Sequence, residues 1–206
     1  MPRERPTAVL LDLDGVLRSW DPEVTAGVER RHGLPAGAIL DTAMRWSRLR
    51  PAVAGEVSHA DWVTSVAEAL AGPAGDPEKA RAAVQEWQDY RGEVDPDVLT
   101  FVRAARAAGL RVGLATNATD RLDADLAALA LTDEVDTVVN SARLGVHKPA
   151  KEFFQQACLA IDVPPARVLF VDDEDRSVLG ARAAGLSAYR WTGPADARYL
   201  RAVLGV

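Results

Sequence analysis

Five short apolar runs recur along the chain, at residues 8–13, 111–116, 137–140, 167–171 and 187–191, and each stops abruptly at polar residues. Runs of that length, bounded by turn formers, predict buried strands. Helical patterns follow them. Ahead of the second run, Val98, Phe101, Val102 and Ala105 recur at i, i+3, i+4 and i+7, giving one apolar stripe fit to lie on a sheet. Pro96 and Gly109 punctuate the start and end of that helix. Strands alternating with helices predict an α/β fold, a Rossmann-like, doubly wound parallel sheet.

The stretch from Leu17 to Gly92 breaks the alternation. It reads as consecutive helices over 22–32, 36–48, 59–71 and 78–90, with no strand among them. Turn clusters separate them: Gly33-Leu-Pro35, Arg50-Pro51 with Gly55, and Gly72-Pro-Ala-Gly75. Ser58, with Asp61 three residues later, approximates a capping box at the head of the third helix. The expected organisation is an α/β core of residues 1–16 and 93–206 carrying an all-helical insertion, 17–92.

Charge narrows the partners. With 24 Lys and Arg against 30 Asp and Glu, the net charge is -6, which argues against nucleic acid and anionic membranes, whose phosphates are bound by clustered cations. A bound phosphate is then expected on a small metabolite. The charged opening segment and the short run after it predict neither a signal peptide nor a membrane span, and a cytoplasmic protein. Cys158, the single cysteine, excludes an intramolecular disulfide and reads as core packing. His32, His59 and His147 lack metal-ligand spacing with one another. Monomer and homodimer are both compatible with the sequence.

In open parallel sheets, ligands bind beyond the carboxyl ends of the strands, so the chemistry is sought there. Asp12 and Asp14 close the first strand, and alternation places both on one side if the strand geometry persists. Paired carboxylates repel unless a cation compensates, which suits metal binding or acid and base work, although Asp-x-Asp before glycine is also a common turn. Thr116 and Asn117 end the second strand with groups able to donate to an anion. Lys148, one of only three lysines, follows the third strand. The fourth ends in Asp172-Asp173-Glu174-Asp175.

That order of groups resembles the haloacid dehalogenase superfamily over nearly the whole chain. Leu11-Asp-Leu-Asp-Gly-Val16 is similar to its first motif, Leu114-Ala-Thr-Asn117 to its second, Gly145-Val-His-Lys-Pro149 to its third and Leu169-Phe-Val-Asp-Asp173 to its fourth. The insertion resembles the small helical cap of the IA-like subfamily. Ala54-Gly-Glu-Val-Ser58 and the double aspartate look closest to sugar-phosphate phosphatases and the epoxide-hydrolase N-terminal phosphatase. The resemblance implies hydrolysis of a small phosphomonoester through an aspartyl-phosphate. Asp12 would be the nucleophile and Asp14 the acid and base. Thr116, Asn117 and Lys148 would hold the phosphoryl group. Mg²⁺ would sit on Asp12, the backbone carbonyl of Asp14, and Asp173, with Asp172 and Asp175 as alternative ligands. Ser177 departs from the acid or amide often found four residues after the motif-four ligand. Asp14 favours phosphate chemistry over dehalogenation, whose leaving halide needs no proton. A sugar phosphomutase and a non-catalytic phosphate-binding scaffold remain the alternatives. Arg18, Trp20, Arg45, Trp46 and Arg48 are the candidates for substrate contact, since guanidinium and aromatic groups suit sugar rings and anions.

Overall fold

The computed structural model describes residues 5–206. Residues 1–4, part of the opening segment judged above for a signal peptide, lie outside them. In chain order the elements are β1 (Ala8–Leu11), β2 (Arg18–Ser19), α1 (Pro22–His32), α2 (Ala38–Ala43), α3 (Trp46–Val53), α4 (His59–Ala74) and α5 (Pro77–Asp89). There follow β3 (Glu93–Val94), α6 (Pro96–Ala107), β4 (Arg111–Thr116), α7 (Leu122–Ala128), β5 (Thr137–Asn140), α8 (Ser141–Leu144) and α9 (Lys151–Ile161). A 3₁₀ turn, Pro165–Arg167, leads into β6 (Val168–Asp172), α10 (Asp175–Ala183), β7 (Ser187–Arg190) and α11 (Asp196–Leu204).

The five predicted strands form one parallel sheet in the order β5-β4-β1-β6-β7. Strand alternation then decides the layers. Val9 and Leu11 of the central strand face a core made with Val98, Phe101, Val102 and Ala105 of α6 and Leu200 and Leu204 of α11. Ala8 and Leu10 face the opposite core, with Phe153, Phe154 and Cys158 of α9 and Ala181 of α10. Both faces of the sheet are covered by helices, as a parallel sheet requires. Leu11 lies level with Leu114 on one side and Val171 on the other, so β1, β4 and β6 end side by side.

Helices α1 to α5 stand between β2 and β3 and gather a third core of their own, including Val28, Ile39, Trp62, Val66, Leu70, Val84 and Trp87. Each such large side chain contributes roughly 1.5–3 kcal/mol when fully buried. Glu29, itself buried, receives the backbone N–H groups of Gly37 and Ile39, both at 2.8 Å, and so seals the head of α2. The capping box at Ser58 and Asp61 is formed.

Three local expectations are corrected. First, Arg18 and Ser19 are not helix or loop but strand, paired antiparallel with Val94 and Glu93. A two-residue ribbon is too short to show a period. Second, the helix expected over 36–48 is two helices, broken at Met44 and Arg45, where Arg45 takes an extended ψ of 119°. Third, Pro51 and Pro73 lie inside α3 and α4 instead of ending them. The stops are Gly55 and Gly75, both left-handed with φ near 70°, a conformation that costs glycine nothing and other residues a good deal. At Gly55 a Cβ would also lie 2.2 Å from the carbonyl oxygen of Ala142.

Candidate active site

Asp12 leaves β1 with its backbone N–H still donating to Val171 O at 2.8 Å, so its side chain is held at the level of the β6 end. One carboxylate oxygen accepts from Leu13 N–H at 2.8 Å, the other from Lys148 Nζ at 2.8 Å. Lys148 also donates to Asp172 Oδ2 at 2.6 Å and stands 5.5 Å above the Phe170 ring. Asp172 is wholly buried, and its second oxygen accepts from Glu174 N–H at 2.7 Å.

Burial pushes Asp12 up to about 6; Lys148 opposes that push, and the charges of Asp172 and Asp14 add to it. Burial works against the Lys148 ammonium, but Asp12 and Asp172 outweigh it and hold the lysine above its usual range. Asp173 is raised by burial and then by the charge of Asp12. One lysine therefore leaves the carboxylates under-compensated.

Carboxylate oxygens of Asp12, Asp172 and Asp173 lie within 4.8 Å of one another. Asp173 is pressed on the turn after β1: a Cβ at Gly15, where φ is +77°, would sit 2.2 Å from Asp173 Oδ2. Only glycine allows that approach. An all-oxygen, negatively charged set of this kind fits a hard divalent cation such as Mg²⁺. Asp172 is wholly buried and does not line the open pocket, whereas Asp12 and Asp173 do, which makes those two the more available carboxylates.

Asp14 does not reach the lysine. Its carboxylate accepts from Arg18 Nε and Nη2 at 2.7 and 3.0 Å and from Trp20 Nε1 at 2.7 Å. Arg18 is buried, lies 4.6 Å over the Trp20 ring, and reaches Asp125 Oδ2 at 3.3 Å with its remaining nitrogen. Thr116 is buried at the end of β4 opposite Asn140. Asn117 spends its side chain on the Lys148 backbone, donating to the carbonyl at 3.1 Å and accepting from the N–H at 2.8 Å. That clamp fixes where the lysine starts.

Of the remaining sequence candidates, Asp175 turns away to Arg190 at 2.7 Å. Ser177, in the position that departs from the family pattern, is buried and donates to Glu174 Oε2 at 2.9 Å. Trp46 is exposed and meets the His147 ring edge-on at a centroid distance of 5.1 Å. Arg45 and Arg48 line neither of the cavities at the strand ends, whereas Arg18 and Trp20 line one or both.

Those cavities adjoin. The first is open, about 570 Å³, and bounded by Asp12, Asp14, Lys148, Asp173 and Glu174. The second, about 150 Å³, lies between the inserted helices and the β4 end, walled by Trp62, Trp87, Tyr90, Leu49, Val53, His59 and Arg121. Asp14, Trp20 and Asn117 belong to both. Of the residues that wall only the second cavity, Arg18 stood out in the sequence, whereas Trp62, Trp87, Tyr90 and Arg121 did not. Trp62 and Trp87 carry helical spacing that serves a core and a cavity wall alike, and Arg121 and Asp125 sit on an ordinary charged helix start.

A family model described as haloacid dehalogenase-like hydrolase matches residues 6–185. Phosphatase MT3486 of Mycobacterium tuberculosis is 33% identical over 190 residues, covering 89% of this chain and 86% of that protein. The plasmid phosphoglycolate phosphatase of Cupriavidus necator is 30% identical over 200 residues, covering 91% and 83%. Among solved structures, an L-2-haloacid dehalogenase superposes with a TM-score of 0.75 at 20% identity, covering 98% of this chain and all of that one, a likeness of fold.

Proposed function

Since the chain belongs to the haloacid dehalogenase-like hydrolase family, we propose that it is a Mg²⁺-dependent phosphatase that hydrolyses a small phosphomonoester through an aspartyl-phosphate on Asp12. The observation that carries this reading is the Lys148 ammonium held between Asp12 and Asp172, with Asp173 beside them, on the floor of an open pocket at the strand ends. The phosphatase names of the two relatives agree with it.

In this mechanism Asp12 attacks phosphorus as the bond to the leaving oxygen breaks. Lys148 neutralises charge on the phosphoryl oxygens, and Thr116 and the Asn117 N–H orient them. Asp14, at the junction of the two cavities, hands a proton to the leaving alcohol and afterwards takes one from the water that hydrolyses the acyl phosphate. As it stands, Asp14 only accepts hydrogen bonds, so Arg18 or Trp20 must yield as substrate enters. Asp12, Asp173 and the Asp14 carbonyl would hold Mg²⁺, which would supply positive charge to offset the repulsion between the anionic nucleophile and the phosphate. The helical insertion, 17–92, serves as a cap that excludes water and selects the leaving group.

Purified protein is expected to release phosphate from p-nitrophenyl phosphate with Mg²⁺ and to stop when the metal is chelated. Asp12→Asn should lower kcat by about 10³-fold or more. Activity indifferent to both changes would overturn the reading.

A further inference from the structure

The smaller cavity constrains what leaves with the ester oxygen. Trp20, Trp62, Trp87 and Tyr90 present aromatic surface to it, and Leu49 and Val53 close it with aliphatic surface. A void of about 150 Å³ with such walls takes one ring of benzene size. It meets the phosphoryl pocket at Asp14, so its occupant is joined to the oxygen that Asp14 would protonate.

The charged groups of the lining cancel. Arg18 is held by Asp14 at 2.7 Å and by Asp125 at 3.3 Å, and Arg121 by Asp125 at 3.1 Å. Two guanidinium groups therefore meet two carboxylates. Outside the lining stands one more of each sign: Arg91, 3.5 Å from Asp125, and Asp120, which accepts from His59 N–H at 2.8 Å. His59 adds no charge at neutral pH, since burial and then the Arg121 cation hold it below its usual range. An ionic leaving group of either sign would give up water for a site with no counter-charge to offer, a costly exchange.

The acceptors are occupied as well. Besides the two carboxylates, the side-chain oxygens of the lining belong to Gln88, Tyr90, Asn117 and Thr119. Gln88 Oε1 accepts from His59 and from Arg121, Tyr90 Oη from Asp21 N–H, and Asn117 Oδ1 from Lys148 N–H, while Thr119 Oγ1 is bonded to the His59 ring. Sugar hydroxyls turned into this void would lose water without gaining a free acceptor. What the walls still offer is apolar contact.

We propose that the leaving group is an uncharged, apolar alcohol with one ring, lodged among Trp20, Trp62, Trp87 and Tyr90, and that the cavity rejects both ionic alcohols and sugars. This rests on the phosphatase reading of the adjoining pocket and names its substrate class. The aromatic walls select the ring, and the closed ion pairs behind them set the penalty for anything charged.

The test compares phosphate esters of primary alcohols: benzyl phosphate, its 4-carboxy and 4-aminomethyl derivatives, and glucose 6-phosphate, with p-nitrophenyl phosphate as the check on phosphatase activity itself. Benzyl phosphate should exceed each of the other three in kcat/KM by about 100-fold, the discrimination expected when a charge or hydroxyls are buried unpaired. Leu49→Lys, which places an ammonium in the wall, should bring the 4-carboxy ester about tenfold closer to benzyl phosphate and leave the 4-aminomethyl ester rejected. A wild-type ratio near one for either charged ester or for glucose 6-phosphate overturns the proposal while leaving the phosphatase reading intact. So does an unchanged ratio in Leu49→Lys protein that keeps the wild-type circular dichroism. Benzyl alcohol binding, followed by tryptophan fluorescence, reads the cavity without turnover or substitution. It should be seen in wild type and exceed that of benzoate and of benzylamine by about tenfold or more. Equal binding of benzyl alcohol and either ion overturns the proposal too. If benzyl alcohol binds as expected but no ester is hydrolysed, the phosphatase reading fails and the cavity assignment stands.

Discussion

Lys148 is where the account is most exposed to a single substitution. It is in contact with two buried carboxylates, Asp12 and Asp172. Lys148→Met leaves them to repel each other without compensation, and removing one partner of a buried ion pair typically costs about 3–5 kcal/mol. Urea unfolding of the metal-free variant should show a loss of that order, together with loss of phosphate release. Asp12 makes a second prediction. Its pKa is raised to about 6 from 3.8, so its contribution to stability is present below about pH 4 and lost as pH rises through 6. A metal must displace the same proton. Mg²⁺ should therefore leave the melting temperature unchanged at pH 5 and raise it by a few degrees at pH 7.5. Equal protection at both pH values would contradict the coupling of Asp12 to the metal.

At the scale of elements, the sheet was legible because buried parallel strands are short apolar runs with sharp ends, and β1, β4, β5, β6 and β7 each have one. Asp12, Lys148 and Asp173 could be placed together for the same reason, since each follows the end of a strand. The helix breaks were less legible. Proline is the louder signal, but Pro51 and Pro73 are carried inside helices and the left-handed glycines 55 and 75 do the stopping. Trp62 and Trp87 were illegible as cavity walls, because they show one face to the third core and another to the void. Glu29 was missed as well: a glutamate in a helix reads as solvated, yet it closes the α1–α2 junction with two backbone hydrogen bonds. Glu29→Ala should destabilise the inserted helices by about 2–3 kcal/mol, the usual worth of hydrogen bonds to a charged group. Hydrogen exchange should rise in α2 and leave β1 protected.

Across the whole molecule, the sheet fixes the charged groups and the inserted helices supply the cavity. The two are joined by the β2–β3 ribbon and by His59, whose ring and backbone reach Thr119 and Asp120 beyond β4. Among the described residues no helix is long and apolar enough to cross a membrane. The chemistry proposed for this arrangement depends on Asp12 becoming phosphorylated. The direct measurement is an acid quench of Asp14→Asn protein after mixing with Mg²⁺ and ³²P-labelled p-nitrophenyl phosphate, whose leaving p-nitrophenolate needs no proton from Asp14. Without the Asp14 base the acyl phosphate should accumulate. The account predicts base-labile label on the peptide that carries Asp12, absent when Asp12 is also changed to Asn. Wild-type turnover with no protein-bound label in the quenched variant, or label on another residue, would contradict it.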